Sequence, residues 1–389
     1  MPQPFKRACV VGIGETQYTR WGKTDRSELE LACEAVVKAA ADAGLPVSAI
    51  DGLSSYALDR NDPAQLQDSL GLSEVRYATM TWGGGGTGAC GPILHAAMAV
   101  EAGYCDYVVV LRALCQGQTR RYGQYVGGRY NANFFAPYGL FSPPLMIAPL
   151  VQRYMYEYGI KETHLGEVAL TCRDNATRNP RAVMGGKPLT MEDYLASRMI
   201  ASPLRLYDCT QENDGACALL VTSLDRARDL KRKPVRILAA VQANSPGWGS
   251  GALGSHNMPV ETYAAGNGET CARLLYEMAG VEPKDIDVAQ IYDHFTGLVL
   301  MTLENFGFCG RGEAGAFVEE GNIRWPDGRL PLNTHGGHLS EAYIHGLNHA
   351  VEAVRQLRGD STSQVKDAEL CLVTAGFSGS PTSAAIFGV

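Results

Sequence analysis

Asn333-Thr334-His335-Gly336-Gly337-His338-Leu339-Ser340-Glu341-Ala342-Tyr343-Ile344-His345-Gly346 is a glycine-bent turn running into a stretch of helical periodicity. From Ala342 to Leu357 the apolar residues recur at helix spacing, which predicts a helix there. A glycine turn that opens a helix aims backbone N–H groups, and the positive end of the helix dipole, at whatever lies in front. His335, His338, Glu341, Tyr343 and His345 crowd that opening. Perturbed titratable groups cluster at functional sites, so this turn is the first candidate for one.

The segments around it alternate strand and helix. Ile286 to Tyr292 predicts a strand ahead of the turn, with a helix from there through Phe306. Ala368 to Ala375 and Thr382 to Gly388 predict closing strands. In the first half, Arg7 to Gly14, Ile50 to Tyr56 and Tyr104 to Ala113 predict buried strands. Ser27 to Gly44 predicts a helix capped by Ser27 and stopped by Gly44, and Cys90 to Ala102 a second one. Ala216 to Ser223 and Val235 to Ala243 predict further strands, and Glu261 to Ala279 a helix. One echo links the halves. Ala43-Gly44-Leu45 leads to Ile50-Asp51, and Ala279-Gly280-Val281 leads to Ile286-Asp287, with identical spacing. The order is that of an α/β fold built from two similar halves. The expected division is 1–230 and 231–389, with an inserted loop region at about 116–201 that carries helices near 145–158 and 165–178.

Composition narrows the function class. The 389 residues are 46% hydrophobic and 19% charged, with a net charge of −7. An acidic balance argues against nucleic acid and anionic membrane as partners. No apolar run approaches the ~20 residues of a bilayer span. The 11 cysteines are scattered without a CxxC pair, which fits reduced thiols and a cytoplasmic location. Gly83 to Gly86 lacks the Lys-Ser/Thr of a phosphate-binding loop, and Gly12-x-Gly14 lacks the third glycine of a dinucleotide motif.

Several motifs together resemble the thiolase superfamily, in the branch of sterol-carrier-protein-X thiolases and lipid-transfer-like proteins. They are the Gly83–Cys90 turn, Leu206-Tyr207-Asp208-Cys209 to Asp214-Gly215-Ala216, Tyr292-Asp293-His294-Phe295-Thr296, Gly307-Phe308-Cys309-Gly310-Arg311-Gly312, the Asn333 turn, and Thr374-Ala375-Gly376-Phe377-Ser378-Gly379. The resemblance covers essentially the whole chain. It implies a five-layered α-β-α-β-α sandwich of two βαβαβαββ halves, usually dimeric.

The departures carry the functional expectation. The resemblance places the family's acylated cysteine at Gly86, with Cys90 four residues later. It places the two catalytic histidines of the branch at Tyr292 and Tyr343. This combination is similar to the steroid side-chain aldolases of bacterial sterol and bile-acid degradation, thiolase relatives that work with an OB-fold and zinc-ribbon partner. The implied reaction is retro-aldol cleavage of a β-hydroxyacyl-CoA steroid side chain. It yields a steroid ketone or aldehyde and a short acyl-CoA.

Thiolysis and retro-aldol cleavage share a thioester enolate and need an oxyanion hole. Only thiolysis needs an acyl-accepting thiol. The aldolase needs instead a base for the hydroxyl proton and an acid for the enolate carbon. Tyrosine, with a reference pKa near 10, needs a neighbour or dipole to act as base. The expected catalytic set is Tyr292, Tyr343, Asp293 and His294, with Tyr343 favoured as base by its place at the helix opening. His335, His338 and the Gly376 and Gly379 backbone are expected around the substrate and its oxyanion. No metal and no cofactor are expected beyond the coenzyme A of the substrate, and the partners are the OB-fold protein and a second copy of the chain. Two other readings compete: a 3-ketoacyl-CoA thiolase using Cys90, and a non-catalytic acyl-CoA or lipid carrier.

Overall fold

The computed structural model describes residues 3–57, 59–82, 85–118, 136–246, 260–376 and 381–389. Gly83 and Gly379, together with residues 119–135 and 247–259, lie outside those residues. Twelve strands are present among the described residues: β1 Ala8–Glu15, β2 Thr19–Arg20, β3 Gly52–Tyr56, β4 Tyr77–Thr81, β5 Val108–Cys115, β6 Met199–Ala201, β7 Leu204–Arg205, β8 Asn213–Ser223, β9 Val235–Ala243, β10 Val288–Gln290, β11 Leu370–Thr374 and β12 Thr382–Gly388. Ten of them form one mixed sheet of order β10-β11-β12-β9-β1-β8-β5-β3-β4, with β2 on β8. β1 also pairs with β9, Cys9 opposite Arg236 and Val10 opposite Val235.

Side-chain alternation along the strands produces layers. In β5, Val109, Leu111, Ala113 and Cys115 face a core shared with helix Glu28–Ala43. Val108 and Val110 face a central core with helices Gly91–Glu101 and Leu347–Arg358. In β12, Ala385 and Phe387 reach that same central core, while Ala384 and Ile386 face a third one with helices Gly268–Ala279 and Thr296–Asn305. Helix, strands, helices, strands, helix is therefore the stacking order, the layered α/β sandwich the resemblance implied. Gly12 and Gly14 serve this packing. A Cβ at either would lie about 2 Å from the Ala39 or Ala35 carbonyl oxygen of the outer helix.

The helices expected within 116–201 are present as Pro143–Tyr158 and Glu162–Arg178, and they bury Leu150, Val151, Leu165 and Val168 in the third core. One expectation changes. The helix expected from Ala342 to Leu357 is broken. A short helix spans Gly337–Ser340, residues 341–346 are non-helical, and the next helix begins at Leu347. Side chains distant from the break satisfy its backbone. Asn213 Oδ1 accepts the Tyr343 N–H at 2.9 Å, and Asn348 Nδ2 donates to the Ala342 carbonyl at 3.0 Å. With such partners the chain gives up helical hydrogen bonds without leaving buried groups unmade.

Candidate active site

Three chain segments meet at the centre of the molecule. The residues after β10, the Asn333 turn and the end of β11 are held together by hydrogen bonds to side chains. Asn333 Oδ1 accepts the Ile291 N–H at 2.8 Å, and its Nδ2 donates to the Ile291 carbonyl at 2.9 Å. Thr374 Oγ1 accepts the Tyr292 N–H at 3.3 Å. This clamp fixes the backbone from which Tyr292 projects.

Tyr292 and Tyr343, 51 residues apart, meet with their hydroxyl oxygens 2.9 Å apart. Both are buried, at 3% and 8% exposure. Aromatic rings fence the pair. His338 lies edge-on to Tyr292 at 4.5 Å and to Tyr343 at 5.0 Å, and His294 edge-on to Tyr292 at 4.8 Å. Burial pushes His294 down to about 4, so that ring is neutral near pH 7. Burial likewise holds His335 and His338 well below the usual imidazole range. His335 and His338 are both completely buried.

Tyr343 is not at a helix opening. It sits in the non-helical break, four residues ahead of Leu347, so the dipole argument for it falls. What stands next to its oxygen is the second phenol.

Asp293, expected among the catalytic groups, is a fully buried hub. Its Oδ1 accepts the His338 N–H at 2.8 Å and lies 3.2 Å from His349 Nε2. Its Oδ2 accepts the Leu339 N–H at 3.2 Å and the Cys172 thiol at 3.4 Å. Burial pushes the carboxyl up, but His349, His338 and the backbone donor outweigh it and hold it at about 2. Asp293, His338 and His349 place three possible ligand atoms within 4.8 Å of one another. The carboxylate lone pairs are already engaged, so we assign the cluster as a hydrogen-bonded hub that carries the turn.

Glu341 is buried, accepts from Asn179 Nδ2 at 2.9 Å and Asn348 Nδ2 at 3.0 Å, and burial raises it to about 8. His335 Nε2 lies 3.5 Å from it, away from the phenol pair. Gly376 borders the site: a Cβ there would lie 3.3 Å from Tyr292 Cδ1 and from His294 Cε1. Asp208 and Asp214 fix turns, Asp208 accepting the Arg205 N–H and Asp214 the Gly117 and Gly22 N–H groups.

Thiol chemistry lacks a nucleophile at this centre. Position 86 is glycine, and Tyr292 fills the space in front of it. The Cys90 thiol is fully buried against the Val373 carbonyl, and burial pushes it well above the ordinary thiol range. A thiol that stays protonated is a poor nucleophile.

The chain is similar to known proteins over nearly its whole length. The chain is 44% identical to the 17-hydroxy-3-oxo-4-pregnene-20-carboxyl-CoA lyase of Mycobacterium tuberculosis, over 98% of its own length and 99% of that protein. It is 42% identical to the steroid side-chain-cleaving aldolase of Thermomonospora curvata, over 98% and 97%. The chain belongs to the thiolase superfamily, in the branch that holds these aldolases. Residues 255–388 match the thiolase C-terminal domain-like family model. A solved Ltp2-ChsH2(DUF35) aldolase superimposes with a TM-score of 0.91 at 41% identity, covering 98% of each chain. A monomeric SCP2-thiolase-like protein from Mycobacterium smegmatis, at 20% identity and a TM-score of 0.73, shares the fold.

The candidate site of this chain is centred on the two phenols. Arg112 and His345 lie beside it; the sequence reading placed His345 at the turn and passed over Arg112. His345 Nδ1 accepts from Arg112 Nε at 3.2 Å, and the ring lies 5.1 Å from that of Tyr343. An arginine inside the buried strand VVVLRALC was the signal available.

Proposed function

We propose that this chain is a retro-aldolase that cleaves the side chain of a steroid β-hydroxyacyl-CoA, with Tyr343 and Tyr292 moving the protons. The observation that carries the reading is the 2.9 Å contact between the two hydroxyl oxygens, beside a glycine where the superfamily keeps its thiol. The name of the Mycobacterium tuberculosis relative puts a hydroxyl at C17 and a carboxyl-CoA at C20. That is the β-hydroxy thioester arrangement a retro-aldol reaction requires.

The proton balance closes within the pair. Tyr343, as phenolate, is stabilised by the hydrogen bond donated from Tyr292. It takes the β-hydroxyl proton. The bond between the α and β carbons breaks, the β carbon becomes a ketone or aldehyde, and the electron pair passes into the thioester enolate. Tyr292 protonates the α carbon and releases the short acyl-CoA. A proton crossing from Tyr343 to Tyr292 then restores the starting state. Backbone N–H groups of the loop that begins at Gly376 are the candidate donors to the enolate oxygen. The substrate brings its own coenzyme A, and the proposed steps use no further cofactor.

We also propose a heterocomplex. The similar solved structure is an Ltp2-ChsH2(DUF35) aldolase, which supports a second, OB-fold and zinc-ribbon, protein as partner here. A second copy of the chain would join at the sheet edge, where among the described residues β4 has no neighbour on one side and Met80 and Trp82 are 46% and 86% exposed. Among the described residues no helix is long and apolar enough to cross a membrane. We place the complex in the cytoplasm because its thiols are free.

The test compares two substrates on the purified complex by mass spectrometry. The β-hydroxyacyl-CoA should be cleaved without added free CoA. Turnover of only the β-keto analogue, and only with free CoA, would make the protein a thiolase. Binding without turnover of either would make it a carrier.

A further inference from the structure

Arg112 is the only charged residue of β5, a strand buried along its whole length. Its Nη1 lies 3.5 Å from Asp59 Oδ2. Asp59 accepts in turn from Ser55 Oγ, and from the Asn61 N–H and Nδ2 at 2.9 and 2.7 Å. Arg112, Asp59 and His345 are 4%, 8% and 6% exposed. Burying an ion pair costs desolvation that its attraction repays poorly, so its presence beside the reaction centre calls for a use.

Arginine can only donate hydrogen bonds. His345 Nδ1 must therefore offer its lone pair to Arg112 Nε. Burial and the adjacent guanidinium hold the imidazole well below its usual range, so the ring stays neutral. A neutral ring that accepts at Nδ1 carries its proton on Nε2. That edge of the ring faces the glycine turn: a Cβ on Gly85 would meet only His345 Cε1 and Nε2, each at 3.6 Å. The backbone of His345 is held at φ +50° to achieve this, a conformation unfavourable for residues other than glycine.

We propose that His345 is a further catalytic residue, a neutral imidazole whose Nε2–H donates to the thioester oxygen as the enolate forms, with Arg112 and Asp59 fixing its tautomer. This rests on the retro-aldol reading. A neutral N–H aimed at developing negative charge stabilises the transition state more than the ground state. Arg112 and Asp59 are positioning residues that act through His345.

The experiment uses the preparation that cleaves the β-hydroxyacyl-CoA, so an inactive wild type counts against the retro-aldol reading itself. In that preparation His345→Leu should lower kcat by roughly 10²-fold with little change in KM. His345→Gln should recover part of the loss, because its amide can donate. Nitrogen-15 NMR of histidine-labelled protein, with His345→Gln to assign the signal, should show Nε2 protonated and Nδ1 unprotonated. A wild-type kcat in His345→Leu, failure of Gln to restore more than Leu, or the opposite tautomer would each overturn the proposal.

Discussion

A Cβ at position 86 would lie 1.5 Å from the Tyr292 hydroxyl oxygen. The glycine and the tyrosine are one exchange: the phenol occupies the volume that a side chain at 86 would need. This links two departures from the thiolase pattern that look independent in the sequence. On the proposed reading, glycine at 86 removes the acyl-accepting thiol and leaves room for the acid–base group.

Gly86→Cys should therefore not restore thiolase activity. It should abolish cleavage and destabilise the fold by about 1–3 kcal/mol, the usual cost of overpacking. Adding Tyr292→His should relieve much of that strain. A double-mutant cycle by urea unfolding would give a favourable coupling. Additive effects would mean the two side chains do not compete for one space.

Asp293→Asn should loosen the turn that carries Tyr343. An amide NH2 would confront at least one of the donors that Asp293 accepts now, which costs about 1–3 kcal/mol. Cleavage should fall with stability, and hydrogen exchange at the His338 and Leu339 amides should quicken. Unchanged exchange there would contradict the hub assignment. The pH dependence follows the depressed carboxyl. Its contribution is present above the unfolded value near 4 and is lost as pH falls towards about 2.

Glu341 acts in the opposite sense. Its carboxyl is raised to about 8 in the fold. A raised group stabilises fully below its unfolded value, near 4.5, and loses that contribution as pH rises through about 8. Denaturant midpoints measured from pH 5 to pH 9 should fall in the wild type, and that loss should be absent in Glu341→Gln. Parallel curves would place the ionisation elsewhere.

Legibility in the sequence followed the range of the determining interactions. Helix Glu28–Ala43 was readable to a residue at each end because its signals are local: a Ser27–Glu30 capping box and left-handed Gly44. Strand Val235–Ala243 was readable as a buried run between polar breaks. Helix Pro63–Leu70 was missed because only Leu66 is buried, so no apolar stripe marks it. The break before Leu347 was unreadable, since Asn213, 130 residues away, replaces the helical partner of Tyr343. The two tyrosines were found through family resemblance, while their contact with each other, and the dependence of His345 on Arg112, exist only in three dimensions.

The measurement that tests the central claim most directly is the rate of steroid ketone or aldehyde release by the purified complex, without free CoA. It should be made for wild type, Tyr292→Phe and Tyr343→Phe. Each substitution removes one hydroxyl and keeps the ring. The account predicts a loss of about 10²-fold or more in each variant, with acyl-CoA binding retained. Wild-type rates in both variants would contradict it.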